Sequence, residues 1–182
     1  MDSETVVLCE GRHVRLVRRK GWEYAERTGH LSGIVVVVSA TEDARAVLVS
    51  QWREPVRTTV VEWPAGLAGD VEGAESESLE DAARRELLEE TGYAARGMRK
   101  LWSGPPSAGL SNEVVTFFFA SGLSRQGPGG GVQDEKIKVH LVPIASADSW
   151  LRSAEEKGWM VDPKIWAGIY WLKDYLEGVS YD

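Results

Sequence analysis

Ser78-Leu79-Glu80-Asp81-Ala82-Ala83-Arg84-Arg85-Glu86-Leu87-Leu88-Glu89-Glu90-Thr91-Gly92-Tyr93 is the stretch on which the rest of the chain turns. It reads as a helix. Ser78 suits the N-cap, and Asp81 three residues on approximates a capping box. Ala82, Ala83, Leu87 and Leu88 are strong helix formers, and Gly92 stands where a left-handed C-terminal cap belongs. Glu86, Glu89 and Glu90, spaced i, i+3 and i+4, share one face. Three carboxylates so close repel, and a helix gains nothing from that unless a cation sits among them. Hard oxygen ligands in a partly hydrated cluster suit Mg²⁺ or Mn²⁺. Arg85, four residues before Glu89, is placed to hold that carboxylate from behind. The competing reading is a solvated acidic helix face.

Glu77 lies eight residues before Arg85, and Arg85-Glu-Leu-Leu-Glu-Glu-Thr-Gly-Tyr93 follows. This pattern resembles the box of the Nudix hydrolases, Gly-x5-Glu-x7-Arg-Glu-U-x-Glu-Glu-x-Gly-U with U bulky and apolar, which spans 66–93 here. Every position from Glu77 matches, with Tyr93 as the last U. The first glycine does not: the spacing lands on Val71, whereas Gly66 and Gly69 lie further upstream, as if the loop Gly69 to Ser76 carried an insertion. Two further segments resemble the branch that hydrolyses ADP-ribose and nucleoside-diphosphate sugars. They are Gln51-Trp52-Arg53 and Glu62-Trp63-Pro64-Ala65-Gly66-Leu67.

The resemblance implies an α/β fold, an α/β/α sandwich around a mixed β-sheet with a small β-rich N-terminal region. It implies Mg²⁺-dependent hydrolysis of the diphosphate of a nucleoside diphosphate linked to X, with Mn²⁺ as an alternative ion. Glu86, Glu89, Glu90 and the Ala65 carbonyl would hold the metal. Arg53 would meet phosphate, its alternative being a surface ion pair with Glu54 or another acid; Glu62 would pair with Arg53 or bind substrate. The loop Gly104 to Glu113 resembles one that lines the pocket opposite the box, so Glu113 is a metal or substrate ligand or a hydrogen-bonded loop carboxylate. The acidic loop after Gly131 supplies the catalytic base in that branch. Glu135 is the first choice here, with Glu113 second; Asp134 adds an acid, and Gln133 stands where a Glu is frequent. The alternatives are a nucleotide-sensing domain without catalysis and a hydrolase of another nucleotide such as a (d)NTP. The intact acidic triplet argues against the sensor.

The rest of the chain is consistent with one domain of ordinary size at 182 residues, 31–182 carrying the chemistry and 1–30 forming N-terminal strands. The formal net charge of −7 argues against a nucleic-acid or membrane-surface partner. A single cysteine, Cys9, cannot form an internal disulfide, so a reducing cytoplasm is the expected compartment. No signal-peptide core and no membrane-length apolar run is present in the sequence.

Thr5–Cys9, Val14–Val17 and Gly21–Arg27 read as strands. Trp22 and Tyr24 share a face, either as a half-buried strand pair or as a platform for a base, with Arg27 reaching a phosphate. In the branch resembled here the N-terminal piece serves homodimerisation and base binding. Gly33–Ser39 is a β-branched run expected to be buried on both faces and to form a hairpin with Ala46–Ser50. Thr59–Leu67 is expected as a strand ending in a Pro/Gly turn at Pro64 and Gly66, and strands are also expected at Met98–Ser103 and Val114–Ala120. Gly127–Gly131 reads as a linker or a hinge for a mobile acidic loop, and His140 as structural. Ser146–Lys157 and a helix opened by Asp162-Pro163 complete the chain, the latter with Ile165, Ile169, Leu172 and Leu176 as its apolar face.

Overall fold

A computed structural model describes residues 4–29, 32–71, 73, 75–132 and 135–176. The elements in order are β1 (Val6–Glu10), β2 (Val14–Arg19), β3 (Trp22–Arg27), β4 (Gly33–Ser39), β5 (Arg45–Arg53), β6 (Thr58–Glu62) and β7 (Ala65–Ala68). Then come α1 (Leu79–Thr91), β8 (Tyr93–Gly104), β9 (Val115–Arg125), β10 (Lys138–Pro143), α2 (Ala147–Glu156), β11 (Met160–Val161) and α3 (Lys164–Leu176).

The N-terminal strands form a three-stranded antiparallel sheet, β1-β2-β3. The remaining strands form two four-stranded sheets, β10-β5-β6-β11 and β7-β4-β9-β8, each with one parallel pair. The sandwich is visible in how β4 divides its side chains. Val36 and Val38 enter one core with Ala147, Leu151, Ile165, Ile169 and Leu172 of α2 and α3. Val35 and Val37 enter the other with Ala82, Ala83 and Leu87 of α1. Side chains alternate along a strand, so a strand covered by helices on both sides must be apolar throughout. That is why Ile34–Val38 shows no alternation. At about 1.5–2 kcal/mol for each valine removed from water, any shift of β4 that exposed these side chains would be costly.

Four sequence expectations change. β4 and β5 do not form a hairpin. A turn at Thr41–Ala44 joins them, with one bridge between Ala40 and Ala46, and then β5 pairs with β10 and β6 in the other sheet. The strand expected to end in a Pro/Gly turn within Thr59–Leu67 does break at Pro64, which has no N–H to give to a ladder, but Ala65–Ala68 resume as a second strand and not a turn. The break sends β6 into one sheet and β7 into the other. β8 begins at Tyr93, five residues before the expected start, since Gly92 turns the chain directly into pairing with β9. Leu176 is 52% exposed and does not join the α3 core contact, whereas Ile165, Ile169 and Leu172 do.

Candidate active site

The Ser78 Oγ accepts the Asp81 N–H at 3.1 Å, and the Gly92 cap has φ 74°, so both ends of α1 lie where the sequence placed them. The last carbonyls of a helix have no partner within it. Here the glycine stretch provides them. Gly130 N–H donates to Glu90 O at 2.8 Å, Gly131 N–H to Glu89 O at 3.0 Å, and Gln126 N–H to Gly92 O at 2.7 Å. Gly129 has φ 70°, and a Cβ there would lie 2.4 Å from the Thr91 backbone carbon. The stretch expected as a linker or hinge is therefore a strap seated on the end of α1. It leads directly to Glu135, whose carboxylate accepts the Val132 N–H at 3.0 Å. The expectations for Gln133 and Asp134 lie outside the described residues.

At the other end of the site, Gly69 has φ 81° and its N–H points to Glu77 Oε2 at 3.3 Å. Gly69 thus stands in the position of the box glycine, two residues before Val71, and the Glu75 carbonyl lies against it, 3.0 Å from where a Cβ would be. Glu77 holds Arg85 in a two-pronged pair, 2.9 Å to Nε and 3.0 Å to Nη2. Arg85 also donates to Glu86 at 2.7 Å, Glu89 at 3.2 Å and the Leu67 carbonyl at 2.9 Å. Beside it, a Cβ on Gly66 would lie 2.0 Å from the Glu86 carboxyl carbon. A side chain at position 66 would displace the Glu86 carboxylate from its place against β7.

These elements enclose a cleft of about 550 Å³. Among the residues expected to form the site, Arg27, Arg53, Glu62, Ala65, Glu86, Glu90, Glu113 and Glu135 all line it. Glu89 and Arg85 stand beside it, joined to each other. Arg53 is engaged by Glu62, not Glu54, with contacts of 2.9 and 3.1 Å, and the pair faces the cleft. Arg27 is paired with Glu113 at 2.6 Å across 86 positions of sequence, which no spacing rule foretells. Trp22 does not line the cleft. It is 66% exposed in a smaller hollow near the β2–β3 turn. His140 is structural as expected: it shares a 2.8 Å hydrogen bond with Ser50 and packs on Trp150 and Trp159, and burial lowers it to about 4. Sequence reasoning missed Lys164, which lines the cleft from the first turn of α3. Its signal was a cation where the helix dipole favours an acid.

The carboxyls of the cleft differ sharply. Burial pushes Glu90 up to about 9; Glu86 adds to the rise and the Ala65 N–H, 3.2 Å away, opposes it. Burial likewise raises Glu86 to about 7 against the pull of Arg85. Glu77, bound by Arg85, is lowered. Among the described residues no three acidic, His or Cys side chains converge on a metal as they stand. Glu86 and Glu89 lean on Arg85, and Glu90 leans on the Ala65 amide. The donor chemistry nevertheless fits a hard divalent cation. Glu86 and Glu90 are buried side by side, and a cation relieves both the desolvation and the repulsion that a lone pair of carboxylates suffers.

Comparison with known proteins identifies relatives of this chain in sequence and in fold. The sequence model of the NUDIX domain matches residues 29–162. An ADP-ribose pyrophosphatase of Bacillus subtilis (strain 168) is 38% identical over 124 residues, covering 68% of this chain and 64% of that protein. A methanol dehydrogenase activator of Bacillus methanolicus is 34% identical over 141 residues, 78% of this chain and 72% of its own. A GDP-mannose pyrophosphatase of Escherichia coli (strain K12) is 32% identical over 134 residues, 68% of this chain and 66% of its own. In fold, a crystal structure of an ADP compounds hydrolase superposes with a TM-score of 0.72 at 17% identity, over 98% of this chain and 94% of that one.

Proposed function

This chain belongs to the Nudix family, and we propose that it is a pyrophosphohydrolase acting on the diphosphate bond of ADP-ribose or a nucleoside-diphosphate sugar. The products are a nucleoside monophosphate and a sugar phosphate. The observation that carries this reading is the cleft itself. Arg27, Arg53 and Lys164, paired with Glu113, Glu62 and Asp162 and able to exchange those partners for phosphate, line the same walls as Glu86, Glu90 and Glu135. An anionic substrate and a cation are accommodated together there. The activities for which the relatives from Bacillus subtilis and Escherichia coli are named support the substrate class.

Glu86, Glu89, Glu90 and the Ala65 carbonyl would hold Mg²⁺, with Mn²⁺ as a substitute. Bound there, the ion neutralises phosphate oxygens and makes a water easier to deprotonate. Glu135 takes the proton of the attacking water, with Glu113 as the second candidate. Arg53 orients one phosphate by its guanidinium edge, and Glu62 fixes the angle of that edge. Arg27 serves the second phosphate once the substrate competes with Glu113 for it. Arg85 keeps Glu86 and Glu89 aimed at the cleft. Residues 1–30 form a homodimerisation and base-binding piece, with Trp22 as the stacking surface. The exposed Cys9 thiol suits a reducing cytoplasm.

The test is phosphate release in a phosphatase-coupled assay on ADP-ribose, GDP-mannose, UDP-glucose and an oxidised dGTP, with Mg²⁺ and with chelator. Turnover of ADP-ribose or a nucleotide sugar that stops on chelation supports the proposal. Glu90→Gln is expected to reduce kcat by about 10³-fold, as loss of several kcal/mol of charge stabilisation implies. Turnover of the dGTP alone would reassign the substrate. Tight nucleotide binding without turnover would make the chain a sensor.

A further inference from the structure

The cleft does not end at the diphosphate. Arg27 and Glu113 are shared between it and a second hollow of about 410 Å³, and Asn112 is shared between that hollow and a third of about 320 Å³. The three follow β3 from Arg27 to Trp22, about 16 Å of strand at the usual rise. The third hollow is walled by Trp22, Tyr24, Arg19 and Lys20, with Ser111 and Asn112 opposite. It therefore offers aromatic surface and two cations at one place.

The cations are what the base-stacking reading leaves unexplained. Lys20 and Gly21 form the tight turn between β2 and β3, with Arg19 paired to Trp22. Lys20 has φ 53°. Asn, Asp or Gly would hold that conformation at lower cost. The turn itself gains nothing from a lysine. Arg15 on the same hairpin is paired with Glu10 and Glu26, and Arg27 with Glu113. Among the described residues Arg19 and Lys20 have no acidic partner. Residues 12–27 carry six Lys or Arg against two Glu, in a chain whose net charge is −7. Positive charge is thus concentrated at the far end of the groove, with its two outermost members free.

We infer that this hollow binds an additional phosphate, so that the enzyme prefers nucleoside diphosphate derivatives carrying a phosphate monoester on the nucleoside ribose. This rests on the hydrolase reading above and deepens it. The flat base lies on Trp22, and the ribose phosphate meets Arg19 and Lys20, whose charge-assisted hydrogen bonds are among the strong ones. The local positive field also draws the more anionic substrate to the groove.

The experiment compares kcat/KM for ADP-ribose, 2′-phospho-ADP-ribose and coenzyme A, a 3′-phosphorylated ADP derivative. In parallel, calorimetry with metal absent compares AMP with its 2′- and 3′-phosphorylated forms. One ribose-phosphorylated form is expected to be preferred about 10-fold in both assays, the scale of one such contact; the two positions identify which phosphate is read. Raising the salt should shrink the preference. Arg19→Gln with Lys20→Gly should reduce it to near one; glycine suits the turn, so the hairpin survives. Equal binding of AMP and both phosphorylated forms overturns the inference. So does a preference that persists in the double variant, or a variant that changes only self-association. Absence of turnover alongside a phosphate-selective, Arg19- and Lys20-dependent binding would instead overturn the hydrolase reading and leave the subsite standing.

Discussion

A single guanidinium does the work of aligning the acidic face. Arg85 reaches Asp70, Glu77, Glu86, Glu89 and the Leu67 carbonyl, tying the loop before α1, α1 itself and β7 to one planar group. The i,i+4 contact to Glu89 was legible in the sequence, because helix spacing alone dictates it. The contact to Leu67 was not, because it depends on the path of the loop after Gly69. A lysine would keep the charge and lose the fork. Arg85→Lys is therefore expected to lower activity about 10- to 100-fold, as loss of an orienting group behind metal ligands does. The Mg²⁺ concentration giving half-maximal rate should rise with it. A fall in melting temperature with unchanged Mg²⁺ dependence would show that Arg85 only stabilises the fold. The Arg27 and Glu113 pair teaches the complementary lesson. Each residue was singled out, yet their 86-residue separation hid that they neutralise one another.

At the scale of elements, α1 was legible to the residue because its two caps are local chemistry. Ser78 and Gly92 need no tertiary partner to announce an end. The strap was misread for the opposite reason. Glycines describe which conformations are allowed, not whether the segment is packed. Here the positive φ values at Gly129, Gly130 and Gly131 serve close docking onto Glu89, Glu90 and Thr91. Gly129→Ala is expected to cost about 2–3 kcal/mol, through overpacking and a strained left-handed alanine. It should also depress kcat, since the same strap carries Glu135 and clamps Glu89 and Glu90. Gly127→Ala is the control, because its added methyl meets nothing within 4 Å. Chemical denaturation and turnover measured on both variants would decide the matter. Equal, small effects would restore the flexible-linker reading. β6 and β7 show the same limit from another side: Pro64 signalled a break, but periodicity could not say that the break moves the chain between sheets.

Across the whole molecule, the two cores were readable from the uniform apolarity of β4, whereas the division of the strands into separate sheets was not. Period tells a residue which face it takes and says nothing of the neighbouring strand. The N-terminal sheet stands apart from both cores. It is joined to the rest chiefly through β3, where Ala25 N–H donates to Leu110 O at 2.8 Å and Arg27 meets Glu113. No helix covers it. Val14 and Leu16, two residues apart on β2 and so on one face, are 51% and 41% exposed, and Cys9 lies opposite Leu16. Three short strands with apolar side chains left in water are marginal on their own. A homodimer that buries this face would stabilise them. Amide exchange in β1 and β2 should then slow as protein concentration rises, while exchange in β4 and β9 stays constant. Leu16→Glu should abolish the concentration dependence and shift sedimentation toward the monomer. If β1 and β2 are as protected as β4 at the lowest concentrations, and Leu16→Glu changes neither property, the sheet is stable alone and the dimer proposal loses its physical basis.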